Sequence, residues 1–134
     1  SLDIPKVNVN REPTDLEKNQ FMSDCFHSIN NLLRELCNQT QIENSNIQTQ
    51  IEQVDSRTFI YQFYKDGNQV RSLKLFLGNS FSGRENSIGV SCDNFSMGTN
   101  NSYNAMYSPK FENGQLYLYS IISLSLPFNL LTSL

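Results

Sequence analysis

The chain has 134 residues and a mass of 15.4 kDa, which suits a single domain with a hydrophobic core of its own. Ten Lys and Arg residues against 13 Asp and Glu residues give a net charge of −3, and the basic residues are scattered singly. Because nucleic-acid binders concentrate basic residues on one surface, we do not expect this chain to bind nucleic acid.

The sequence also argues against a membrane span, a metal and a cofactor. The most apolar segment, residues 121–134, contains Pro127 and Asn129 and is shorter than the roughly 20 apolar residues of a membrane helix. The cysteines form no CxxC pair, the chain has one histidine, and the glycines make no phosphate-binding loop. We therefore expect reduced thiols, a cytoplasmic location and neither a metal site nor a bound cofactor.

Residues 1–13 contain two prolines and no helical periodicity, so we predict an extended arm or linker before one domain over residues 14–134. Thr14 and Glu17 match a capping box at a helix start. Apolar residues then recur at steps of three and four, which predicts an amphipathic helix over residues 15–39. We expect it to bury five side chains against a sheet: Met22, Phe26, Ile29, Leu33 and Leu36.

The remainder of the chain is typical of β-structure. Predicted strands cover residues 47–54, 57–65, 69–77, 88–92, 103–111 and 115–126. Asp66-Gly67 and Asn113-Gly114 separate two pairs of these strands, and such dipeptides favour tight hairpin turns. The predicted fold class is α+β: one long N-terminal amphipathic helix packed on a mostly antiparallel sheet of five to six strands.

The C-terminal part of the sequence has very few charges. Between residues 87 and 134 only Asp93, Lys110 and Glu112 are ionised at neutral pH. Two explanations remain open at this stage. Either these strands are central in the sheet or covered by the helix, or this half of the chain packs on another domain or subunit.

Two Asn-rich segments, residues 78–87 and 93–104, are predicted to be long loops that carry a binding site. Amide and tyrosine side chains make directional hydrogen bonds, and the interleaved aromatic residues offer stacking surfaces, which suits a nucleotide, sugar or peptide. The predicted ligand-binding residues are Arg84, Asp93, Asn101, Tyr103 and Asn104. Ordinary loop composition explains the same residues equally simply.

Four segments, LKLFLG, IGVSCDNFS, NNSYNAMYS and LYLY, lie between residues 73 and 119. Together they resemble the β-rich accessory segment that follows TIR-like domains in bacterial nucleotide-binding and defence proteins. The most specific piece is Asn101-Ser102-Tyr103-Asn104. The resemblance implies a sensor or assembly module and transfers no catalytic residue.

The sequence thus favours a non-catalytic ligand-sensing or protein-interaction module of a larger cytosolic, bacterial protein. Because the sequence starts at Ser1-Leu2 rather than Met, we expect further sequence upstream. One alternative is a small hydrolase or transferase that uses the carboxylates of Glu85 and Asp93. Another alternative is a secreted or surface binding domain, which three possible N-glycosylation sequences would favour.

Overall fold

A computed structural model describes residues 3–5, 11–79, 86–94 and 101–123 of the chain. One helix is followed by six strands: α1 (Asp15–Glu43), β1 (Ile47–Asp55), β2 (Thr58–Lys65), β3 (Asn68–Asn79), β4 (Asn86–Asn94), β5 (Asn101–Glu112) and β6 (Gln115–Ser123). Every strand pairs in antiparallel fashion with its neighbour in sequence, so the sheet order is β1-β2-β3-β4-β5-β6. The predicted α+β class is confirmed.

The helix begins at the predicted capping box. Thr14 Oγ1 accepts a hydrogen bond from the Glu17 N–H at 3.1 Å, and Glu17 Oε1 accepts one from the Thr14 N–H at 3.0 Å. The Arg11 guanidinium lies 2.7 Å from the same carboxylate. Its hydrogen bond, followed by that of the Thr14 N–H, lowers the pKa of Glu17 to about 2. These contacts satisfy N–H groups that a helix start leaves without helical partners.

The end of the helix and part of its buried stripe differ from the prediction. The helix continues four residues past position 39, to Glu43, and its last turns bury Cys37 and Thr40. Leu36 is exposed, while Ile29 and Leu33 are only partly buried. The buried positions follow the 3.6-residue period past Phe26 through Asn30, a polar residue that an apolar pattern overlooks. The prediction that Leu36 lies in the core is therefore wrong.

Helix α1 packs on one face of the sheet, here called the inner face. The core beneath it combines Phe21, Met22, Cys25, Phe26 and Cys37 of α1 with Tyr61, Phe63, Leu73, Leu75, Leu77, Ile88, Cys92 and Leu116 of the strands. A polar contact also joins the two layers: the Tyr61 hydroxyl donates to Asn30 Oδ1, while Asn30 Nδ2 donates to the Phe26 carbonyl at 3.0 Å. Both side chains are buried, and each provides a hydrogen-bond partner for the other.

Both predicted hairpin turns are confirmed. Asp66 and Gly67 have φ of 51° and 83°, and Asn113 and Gly114 have φ of 53° and 76°. Positive φ at both central residues is the type I′ geometry, which matches the twist of the flanking strands. Each turn therefore joins its two strands with a two-residue loop.

The strands on either side of the two predicted loops are longer than predicted. Strand β3 reaches Asn79, β4 covers Asn86–Asn94, and β5 starts at Asn101. Asp93 and Asn101 therefore lie in strands rather than loops, and Tyr103 and Asn104 lie in β5, within the predicted strand 103–111. Residues with low strand propensity are held there because each pairs with an established strand beside it. Within the described part of the chain, no helix has both the length and the apolar character needed to cross a membrane.

Candidate binding face

The face of the sheet opposite α1, here called the outer face, carries an apolar centre. Leu75 and Leu77 are in the core beneath the helix, so Phe76 between them lies on the outer face. It pairs with Gly89, which pairs with Met106. A Cβ atom on Gly89 would lie 2.1 Å from Phe76 Cζ, so the absence of a side chain at Gly89 lets the phenyl ring lie across β4.

Two lysines stand over aromatic rings near this centre. Lys74 Nζ is 5.6 Å from the centroid of the Phe76 ring, and Lys110 Nζ is 4.8 Å from that of Tyr119. Both ammonium groups are within the distance at which a cation is attracted by the face of a ring. Tyr119 remains 50% exposed and Tyr117 beside it 42%, so the aromatic surface extends to the last strand.

Two buried hydroxyl groups lie in the same region. Side chains two positions apart on a strand lie on the same face. Ser87 is two residues from Gly89 and Ser108 is two residues from Met106, so both belong to the outer face. Ser87 comes directly before Ile88, and Ser108 comes directly after Tyr107. Because Ile88 pairs with Tyr107, the two serines are neighbours on adjacent strands. Their residues are only 1% and 8% exposed, yet neither Oγ has a hydrogen-bond partner among the described residues. Because the chain itself covers both oxygen atoms, the two serines contribute to the packing of the outer face rather than to its accessible surface.

Four of the five predicted ligand-binding residues are described by the structure, and they lie together towards one end of β4 and at the start of β5. Asp93 is half-buried on the outer face near the last residue of β4, and the backbone pairs Asn101 with Asn94, Tyr103 with Cys92 and Asn104 with Ser91. Arg84 and Glu85 lie outside the described residues, two and one positions before Asn86 at the other end of β4. With a rise of about 3.3 Å per residue, Asn86 and Asp93 are about 23 Å apart.

Asp93 and the first residues of β5 belong to one end of the sheet. Their role in ligand binding stays a prediction, as does that of Arg84. The catalytic pair of Glu85 and Asp93 also stays a prediction, because Glu85 lies outside the described residues.

Sequence reasoning missed a cation at the end of the sheet that holds Asp93. Arg71 is only 7% exposed and pairs with Asn94, which pairs with Asn101. A buried arginine is uncommon, because removing its charge from water is costly. The sequence could have predicted this burial. Arg71 is an even number of residues from Leu73, Leu75 and Leu77, so it lies on the same face of β3 as these leucines.

The residues with possible nucleophilic or acid–base chemistry are poorly placed for it. Burial is the main cause that raises the thiol pKa values, to about 12 for Cys25 and about 11 for Cys37 and Cys92, so all three are protonated at neutral pH. His27 is exposed on the side of α1 that faces away from the sheet. In the described ranges, no three His, Cys, Asp or Glu side chains are grouped so that they could hold a metal ion.

Comparison with known proteins gives one match. The model of a family described as the Y4lF protein domain matches residues 48–129, which is more than half of the chain. The matched range begins one residue into β1 and includes all six strands, but it does not include α1. No curated protein and no solved structure matches the chain. The resemblance to segments that follow TIR-like domains is not tested by this match.

Proposed function

The chain belongs to the Y4lF protein domain family, and from that premise we propose that it is a non-catalytic protein-interaction module that binds its partner through the outer face of the sheet. The observation that carries the proposal is the exposed aromatic surface of this face, where Tyr117 is 42% and Tyr119 50% exposed on the same face as Phe76. The setting in a larger cytosolic bacterial protein is the expectation from the sequence.

The composition of the outer face suits a protein partner. Phe76, Met106, Tyr117 and Tyr119 belong to residue types that are enriched in protein interfaces, from whose centres charged groups are usually depleted. The two lysines nearest the centre stand over aromatic rings. A partner that brings an apolar patch would cover the exposed rings.

The dimensions of the face agree with this choice. Six strands about 4.8 Å apart span about 24 Å, and nine residues of β4 extend about 26 Å. The resulting area of roughly 600 Å² approaches the roughly 800 Å² that each partner contributes to a standard interface. Small-molecule sites are concave and enclose their ligand, whereas one face of a sheet offers a broad surface.

The proposal is tested by capturing a partner from source cells with the full chain, purifying that partner, and titrating it against variants. Phe76→Ser and Met106→Ser should each weaken binding by at least about tenfold, because they remove apolar contacts at the centre of the face. Ile42→Ser is the matched control, since Ile42 is exposed on α1, on the far side of the molecule.

Circular dichroism establishes that each variant is folded. Unchanged affinity in both outer-face variants, or an equal loss in the Ile42→Ser control, would contradict the proposal. Failure of the wild-type chain to retain any partner would contradict it as well.

A small-molecule ligand at the end of the sheet near Asp93 is the second candidate function. The specific observation in its favour is the buried Arg71, which lies on the inner face at this end of the sheet, opposite to the face that carries Asp93. An arginine fork recognises phosphate or carboxylate in bidentate fashion. The ligand class that these groups fit is a nucleotide or a sugar phosphate.

Thermal unfolding of the full chain with a panel of nucleotides and sugar phosphates tests this candidate. A ligand at about 100 times its Kd should raise Tm by several degrees. The shift should diminish in Arg71→Lys, which keeps the charge but loses the planar fork, and persist in the control Arg34→Lys at an exposed position of α1. Absence of any shift across the panel, or an equal shift in Arg71→Lys, would count against a ligand at this end.

A further inference from the structure

The two outermost strands of the sheet differ in how their free edges are protected. Strand β1 carries Glu52 and Asp55 and has an irregularity in its pairing between Gln53 and Asp55. Charges and bulges on an edge strand are common devices against pairing with other chains. Strand β6 contains no charged residue from Gln115 to Ser123, and within the described part of the sheet no strand pairs with its outer side.

The hairpin that joins β5 to β6 determines which backbone groups point outward from β6. In a two-residue hairpin the residues that flank the turn, here Glu112 and Gln115, exchange both backbone hydrogen bonds. Hydrogen-bonded and non-hydrogen-bonded pairs then alternate along the ladder. Lys110↔Tyr117 is a bonded pair, whereas Phe111↔Leu116 and Pro109↔Leu118 are not. Pro109 agrees with this phase, because it has no N–H to donate.

The N–H and C=O groups of Leu116, Leu118 and Ser120 therefore point to the free edge. Two copies of β6 can pair in antiparallel fashion about a two-fold axis at Leu118, because this residue would then exchange two hydrogen bonds with its own counterpart. Leu116 and Ser120 would pair across the axis in the same phase, which gives about six backbone hydrogen bonds in all. The only irregularity in the β5–β6 pairing falls beyond Ser120.

The same register brings the exposed tyrosines together. Tyr117 of one copy would lie opposite Tyr119 of the other, and this occurs twice because of the symmetry. Both pairs fall at non-hydrogen-bonded positions, where opposite side chains are closest. Tyr117 and Tyr119 lie on the outer face, so they would make cross-strand aromatic contacts there. We infer that the chain forms a symmetric dimer by antiparallel β6–β6 pairing centred on Leu118, with twelve strands in one continuous sheet.

This inference concerns the edge of the sheet, whereas the partner proposed above would bind the centre of the outer face around Phe76 and Met106; Tyr117 and Tyr119 border both surfaces. A dimer would nevertheless make the two outer faces continuous. Such a symmetric contact is isologous, which is the commonest arrangement in soluble homo-oligomers.

The test is sedimentation of the full chain over a concentration series. The wild type should dimerise, and Tyr117→Glu combined with Tyr119→Glu should raise the dimer dissociation constant by at least about tenfold. That variant removes two aromatic pairs and places like charges directly opposite each other. Gln48→Glu combined with Gln50→Glu, two exposed positions of β1, adds the same charge to the other edge and should leave the dimer intact.

A third variant tests the register itself. Tyr117→Glu combined with Tyr119→Lys places opposite charges in both cross-strand pairs and should restore much of the dimer. A wild type that stays monomeric throughout the series overturns the inference, as does a dimer that survives the two glutamates. Loss of the dimer in the β1 variant would move the contact to the other edge, and failure of the opposite-charge variant would overturn the register.

Discussion

Met22→Ala should lower the free energy of unfolding by about 2–5 kcal/mol, the range for truncating a large apolar side chain in a packed core. Met22 is completely buried between α1 and the sheet. The change removes apolar area from the core and leaves a cavity that the surrounding strands can fill only in part. Urea-induced unfolding followed by circular dichroism measures the difference.

Leu16→Ala is the matched control for Met22→Ala, because it truncates a residue of the same helix that is largely exposed. Its effect should stay within about 0.5 kcal/mol, the usual range for surface positions. A similar loss in both variants would mean that helix propensity, rather than packing on the sheet, determines the contribution of α1.

Asn30→Ala should cost about 1–3 kcal/mol, because it removes the side-chain acceptor of the buried Tyr61 hydroxyl and leaves only the more distant backbone carbonyl of residue 30, at 3.5 Å. Burial raises the pKa of Tyr61 above its usual value, so this hydroxyl keeps its proton and needs a hydrogen-bond acceptor over the whole neutral range. Asn31→Ala is the control, since Asn31 is the adjacent residue of the same type and is exposed.

A double-mutant cycle separates the contact between Asn30 and Tyr61 from its surroundings. Tyr61→Phe alone leaves Asn30 Oδ1 without its donor, whereas the double variant leaves neither group unmatched. The double variant should therefore cost less than the sum of the single changes. Additive costs, or an equal loss in Asn31→Ala, would show that the contact between helix and sheet contributes nothing of its own.

Features that depend on neighbouring residues in sequence were predictable, and features that depend on packing across strands were less so. Asp66-Gly67 and Asn113-Gly114 identified both hairpins because residues that tolerate positive φ determine such turns locally. The helix start was predictable from Thr14 and Glu17 for the same reason. The end of α1 was misjudged because Thr40 occupies a buried position that apolar periodicity does not reveal, and Asn30 was missed in the buried stripe for the same reason.

The candidate site shows the same contrast. The sequence could not reveal that Ser87 and Ser108 are buried, since their burial is established by the strands beside them. It did draw attention to Asp93 and the first residues of β5, which the strands bring to one end of the sheet. Arg84 lies outside the described residues, so the expectation that it shares a site with Asp93 stays a prediction.

The exclusively sequential pairing of the strands has a consequence for how the chain reaches its native state. Each strand finds its partner at most a few residues further along the chain, so the sheet can form through short loop closures with little loss of chain entropy. Such local topologies correlate with rapid folding. Helix α1, by contrast, must meet strands as distant in sequence as β6, which makes its docking the long-range step of the folding reaction.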